Sequence, residues 1–183
     1  MFHLPAIPDW DGMHVIVIHF PVALLMTAPF LIFLGLIIPR LRSGFFIAGM
    51  VMLALGCAGA FVSVSTGEAA ARVADRTAKI TKLIERHGRL ADQVKYMYLG
   101  LSLVWLAILA GPKLGFRWFS PRLQVVAVIA FLLVNIPGSL LIANMAHVGG
   151  ILVHDTGVHA MMPVEPAEPD AAPTATASSK KQH

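Results

Sequence analysis

The sequence predicts an all-α integral membrane protein, a four-helix bundle with both termini on the same side of the bilayer. Of its 183 residues 57% are hydrophobic and only 13% are charged, and the mean hydropathy of +0.74 lies far outside the range of soluble domains. Four apolar runs, at about residues 13–38, 44–64, 94–111 and 123–145, approach or exceed the ~20 helical residues that span a hydrocarbon core. The charges cluster between these runs instead of forming one basic face, so the net charge of +4 does not point to nucleic acid. The bundle occupies residues 1–162. Residues 163–183 are rich in Pro, Ala, Ser and Thr, with almost nothing apolar to bury, and read as a disordered tail.

The first run is too long for a cleavable leader, has no Lys or Arg before it, and carries Pro21 and Pro29 where small residues would be needed. Both prolines are expected to bend or unwind it locally. On the second run Gly49, Gly56, Gly59 and Ala60 give small-residue faces that permit close helix approach. The connection at residues 65–93 reads as helical, because Val73, Ile80, Leu83 and Ile84 recur at helix-like spacing among Arg, Lys and Glu. It either lies at the interface or extends the third span outward, and a charged solvated face is the ordinary explanation for its basic residues.

Two short hairpins fix the expected orientation. Residues 39–43 carry Arg40 and Arg42, residues 112–122 carry Lys113, Arg117 and Arg122, and neither contains an acid. Short basic hairpins read as cytoplasmic, which puts the termini on the periplasmic side of an inner membrane. Against this stand Arg72, Arg76, Lys79, Lys82, Arg86 and Arg89 of the central connection.

The only cysteine, Cys57, lies inside an apolar run. Within this chain a disulfide framework, a four-cysteine zinc site, an iron–sulfur cluster and covalent c-type haem attachment are therefore excluded. Any cofactor must be held by His, Met or carboxylates. No nucleophile–base pair, phosphate loop or zincin-like motif supports independent hydrolytic chemistry, so a non-catalytic electron-transfer subunit is the expected role.

Eight histidines in a chain with so few charges are the informative feature. His14 and His19 begin the first span, His87 precedes the third, and His147, His154 and His159 surround the end of the fourth, so alternating helix direction brings all six to one membrane face. Ionisable residues inside a membrane segment point to function. His14 and His19 differ by about 7.5 Å along a helix and roughly 140° around it, while His147 and His154 are about 10.5 Å apart on nearly one face. This predicts a deeper level with His19 and His147, and an outer level with His14, His87 and His154. Gly149 and Gly150 could instead end the helix and leave His154 in a loop.

Imidazoles projecting from different helices of a bundle are the usual means of holding b-type haem, here one or two. Arg72, Arg86, Arg89 and Lys95 are the expected partners of its propionates. Met13, Met145, Met161 and Met162 flank the histidines and allow a rival copper site, with zinc a further metal reading, although methionine in an apolar helix is far more often filler. A quinone is compatible with haem, with Glu68, Asp92, Tyr96, Asn144 and Asp155 as candidate contacts. A scaffold subunit of a respiratory complex, working through helix packing alone, is the non-redox alternative.

The segments MHVIVIHFPVALL (13–25) and GGILVHDTGVHA (149–160), with His87 between them, resemble the four-helix membrane family known as domain of unknown function 2231. That family's pattern reads like His-Pro-x-x-Val-His-Phe-Pro-Ile-Ala-Leu and later Gly-Gly-x-Leu-Val-Tyr-x-x-Gly. The resemblance covers residues 13–160, and by position His14, His19 and His87 match. Val15 stands where the family often has proline, His154 where it has tyrosine, and Thr156 where many members have histidine. The resemblance implies membrane electron transfer beside Rieske or c-type cytochrome partners. Together with the histidines it leads to the expectation of a b-type cytochrome subunit or anchor between the quinone pool and a periplasmic redox protein.

Overall fold

A computed structural model describes residues 7–112 and 120–158, and all regular structure among them is helical. The chain runs through α1 (Met13–Val17), α2 (His19–Ile37), a 3-10 turn (Pro39–Leu41), α3 (Arg42–Val73), α4 (Ala78–Ala110) and α5 (Pro121–His154). Four stretches are long and apolar enough to cross a membrane: Met13–Ile37, Pro39–Val73, Ala78–Ala110 and Pro121–His154. Phe20 and Phe30, each 68% exposed, and Leu140 at 66% face outward, a surface that suits lipid and not water.

Pro21 removes one hydrogen bond from the first span, since it has no N–H for the Val17 carbonyl, but Ile18 keeps helical dihedrals (φ −58°, ψ −32°) and Met13–Ile37 runs as one span. Pro29 likewise leaves α2 continuous, so neither proline unwinds the helix. α1 packs on α3, while α2 lies between α3 and α5; α4 then closes the bundle against α3 and α5.

The α2–α3 contact depends on missing side chains. A Cβ at Gly49 would meet Ile32 Cγ1 at 2.6 Å, and one at Gly56 would meet Leu25 Cγ and Cδ2 at 2.7 Å. At the far end the core is aromatic, with Trp105 edge-on to Phe46 (centroids 5.2 Å apart) and tilted against Phe131 (4.9 Å). Three buried polar donors bond to helix carbonyls, which suits a dry interior, whereas Ser63 Oγ, Tyr98 Oη and Asn135 Oδ1 find no partner among the described residues. Trp105 Nε1 donates to the Phe46 carbonyl at 3.2 Å, Ser102 Oγ to Tyr98 at 2.7 Å, and Asn135 Nδ2 to Phe131 at 3.0 Å.

The central connection is much shorter than residues 65–93. α3 continues to Val73 and α4 starts at Ala78, leaving only residues 74–77 between them. Arg76 Nη2 donates to the Ala71 carbonyl at 2.6 Å, covering an open carbonyl of the last α3 turn, and Thr77 Oγ1 accepts from the Ile80 amide at 3.3 Å to cap α4. Of the two readings of this segment, the outward extension of the third span is the observed one. α5 likewise passes through Gly149 and Gly150 and ends only at His154. Gly157, at φ +69°, turns the chain so that the Val158 amide donates back to the Leu152 carbonyl at 3.0 Å. The tail at 163–183, and the loop residues Lys113 and Arg117, lie outside the described residues.

Overpacking at Gly56 is expected to be costly. Gly56→Leu should lower stability by ~1–3 kcal/mol, read as a lower thermal midpoint in detergent. Gly44→Leu, whose Cβ meets nothing within 4 Å, should leave the midpoint unchanged or raise it.

Candidate functional site

Two imidazoles are seated in the same way on two different helices. His14, on α1, places Nδ1 2.9 Å from the Ser63 carbonyl of α3 and 3.2 Å from Thr66 Oγ1. His87, on α4, places Nδ1 3.1 Å from the Met145 carbonyl of α5. In each case the residue four positions after the acceptor is glycine, Gly67 after Ser63 and Gly149 after Met145. A helical carbonyl points toward residue i+4, so a side chain there would shield it. A Cβ at Gly67 would come within 2.9 Å of His14 Cε1, and one at Gly149 within 3.0 Å of His87 Cε1. Glycine exposes the oxygen and lets the ring lie on the backbone.

This seating fixes the tautomer. A carbonyl only accepts, so Nδ1 carries the proton in both rings and Nε2 is left with a bare lone pair. The one hydroxyl proton of Thr66 is within reach of the Val62 and Ser63 carbonyls at 3.1 and 3.0 Å, which leaves Oγ1 to accept from the His14 Nδ1–H at 3.2 Å.

Both rings line one cavity of about 860 Å³ at the end of the bundle where α1 begins and α5 ends. It lies at the upper end of the ~300–1,000 Å³ range of ligand pockets. Val22, Leu25, Ala60, Val94 and Ile142 make the wall apolar. Besides the histidines and Ser63 the polar lining groups are Asp11, Glu68 and Asp92, with no Lys or Arg among the described lining residues. Ser63 Oγ is buried at this wall and finds no hydrogen-bond partner among the described residues.

The other candidates fall in different places. His19 and His154 also line the cavity, both exposed, and His19 Nδ1 donates locally to the Val15 carbonyl at 2.9 Å. His147 is exposed and does not line it. The expected deeper pair of His19 and His147 is therefore replaced by His14 with His87. The reason is azimuth: Met145, Gly149 and Leu152 hold the inner face of α5, and His147, two residues past Met145, is turned by roughly 200°.

The expected propionate partners do not line the cavity either. Arg72, Arg86 and Arg89 are exposed, Arg89 standing 3.9 Å from Glu85. Lys95 is committed to Asp92 at 2.6 Å, with its ammonium over the Tyr96 ring at 4.7 Å. Of the quinone candidates, Glu68 and Asp92 line the cavity, whereas Tyr96, Asn144 and Asp155 face outward. His159, Met161 and Met162 lie outside the described residues.

Among the described residues no three His, Cys, Asp or Glu side chains come together as a metal would need, and Met145 gives the site its carbonyl. A four-coordinate zinc or copper centre would need ligands that these residues do not bring together. Residue type pointed to His14 and His87. The acceptors Ser63 and Met145 and the glycines Gly67 and Gly149 escaped notice, although glycine four residues after an exposed carbonyl is a readable signal.

The tautomer is open to direct measurement. At pH ~8, where an ordinary imidazole is neutral, long-range ¹H–¹⁵N spectra of the ligand-free protein should show His14 and His87 protonated on Nδ1. Gly67→Val and Gly149→Val should shift one ring each out of that form. No protein-family model, curated protein or solved structure matches this chain, so the likeness to domain of unknown function 2231 rests on the motifs themselves.

Proposed function

We propose that this protein is a membrane b-type cytochrome subunit that carries electrons without catalysing bond chemistry, with His14 and His87 as the axial ligands of a single haem. The observation that carries this reading is the paired seating of the two imidazoles, each with Nδ1–H on a helix carbonyl and Nε2 free beside one large apolar cavity. Metal-bound histidine almost always donates its other ring nitrogen in this way, which fixes the ring and raises its basicity. Bound haem would supply one-electron exchange at its iron. The residues of this chain hold the rings, and Val22, Leu25, Val94 and Ile142 keep water from the inner wall.

The location of the cavity supports a role between two phases. Its wall belongs to helices long and apolar enough to cross a membrane, and its outer part, the mouth, includes Asp11 and His154 at the helix ends. A quinol dissolved in lipid and an aqueous c-type cytochrome or Rieske protein are the donor and acceptor classes that such a position serves. The basic hairpins at residues 39–43 and 112–122 favour a periplasmic mouth.

A visible spectrum tests the cofactor. Protein purified in detergent should show a reduced-minus-oxidised b-type Soret and α band, and His14→Ala and His87→Ala should each remove most of the bound haem. His147→Ala should retain it. A colourless protein that takes up no added haem, or full occupancy in both of the first two variants, would remove the axial pair. Orientation is tested separately in a Cys57→Ala background. A cysteine at Ala74 should react with an impermeant maleimide in intact cells and one at Ser43 should not; the opposite pattern moves the mouth to the cytoplasm.

A further inference from the structure

The outer face of α4 carries a feature the cavity does not use. At 100° per residue Lys79, Lys82, Arg86 and Arg89 fall within an arc of about 80°, and all four are exposed. Ile84, His87 and Ala91, which line the cavity, fall on the opposite side of the helix. The stripe continues toward the membrane through Gln93, Tyr96, Gly100, Leu103 and Val104, within about 120° in total. Tyr96 is 61% exposed, Leu103 59% and Val104 51%. A Cβ at Gly100 would meet nothing within 4 Å, so the surface there is a shallow open dent.

Depth along the helix matches a bilayer. Arg89 lies 21 residues before Ala110, about 31.5 Å by helix rise, close to the ~30 Å thickness of a hydrocarbon core. Tyr96 lies about 10.5 Å below Arg89, within the depth of the acyl chains. Arg86 stands one turn above Arg89. Lys82 and Lys79 stand roughly 21 and 25 Å above Tyr96, beyond headgroup depth. The exposed Arg89–Glu85 pair at 3.9 Å is too weak to neutralise this patch, and Arg86 makes no ion pair among the described residues.

We propose that Arg86 and Arg89 bind the phosphate of an anionic phospholipid whose acyl chain lies along Tyr96, Gly100, Leu103 and Val104. The cations sit directly above the lipid-facing apolar stripe and share its azimuth, so a phospholipid meets both parts at once. An acidic protein docked there would use Lys79 and Lys82 equally and would have no use for the apolar part. The bound lipid would hold the outward extension of α4, and with it His87, at a fixed height above the membrane.

The test uses full-length protein in neutral detergent, titrated with phosphatidylglycerol or phosphatidylcholine of the same acyl chains and followed by native mass spectrometry. Phosphatidylglycerol should be retained preferentially, and Arg86→Gln and Arg89→Gln should each weaken it roughly five-fold, with helix content unchanged by circular dichroism. Lys79→Gln should change it less than about two-fold, because it stands above headgroup depth. Equal retention of the two lipids, or unchanged phosphatidylglycerol binding in the double variant, overturns the site. Saturable displacement of the lipid by millimolar inorganic phosphate would assign the pair to free anion, and binding of polyglutamate that depends on Lys79 as strongly as on Arg89 would assign it to an acidic protein; either result also overturns it.

Discussion

The packing of the first span on α3 is the constraint on which the site rests. The missing amide of Pro21 leaves the Val17 carbonyl without its helical partner, yet the backbone stays helical through Ile18, so Met13–Ile37 runs as one span. Its outer part, α1, packs on α3, and α2 packs on α3 and α5. The His14 ring reaches the Ser63 carbonyl one helix away, and residues of this span from His14 to Leu25 bound the cavity.

Glycine does two kinds of work in this bundle, and they are separable by what lies opposite. Gly49 and Gly56 face aliphatic side chains, and their lack of Cβ lets α2 and α3 approach, which is how helices associate when lipid provides no hydrophobic drive. Gly67 and Gly149 face imidazoles, and the same lack opens a backbone carbonyl to a second donor. Side-chain acceptors would require buried polar groups on α3 and α5, each costly in a dry interior. A helix carbonyl is already present and has a second lone pair. Both imidazoles are thus oriented by backbone geometry, with Thr66 the only side chain hydrogen-bonded to either.

How much of this was legible follows from what each feature depends on. The spans depend on composition summed over many residues, and the four apolar runs coincide with four membrane-length helices. Helix ends depend on single caps: residues 65–93 read as one charged connection because hydropathy drops there, yet Arg76 and Thr77 confine the break to residues 74–77. The cluster of histidines at one end was visible from their order in the chain. Their pairing was not, because it turns on azimuth. Depth along the sequence put His147 beside His19, but 200° of rotation from Met145 takes His147 out of the bundle, while five residues of rotation, roughly 140°, turn His19 away from the face that carries His14. Charge was misread for the same reason: Arg86 and Arg89 flank His87 in sequence and face away from it in space.

That two-faced character of α4 bears on the electrostatics of the site. His87 turns inward, the cations turn outward, and the groups left facing the cavity are the carboxylates of Asp11, Glu68 and Asp92, the last held by Lys95 at 2.6 Å. Glu68 is exposed and the Asp92 side chain half-exposed, so water screens these carboxylates, and Lys95 offsets the charge of Asp92. The wall that faces the cavity thus carries acidic side chains and, among the described residues, no cation, and this follows from the helical azimuth that sends Arg86 and Arg89 to the outer face.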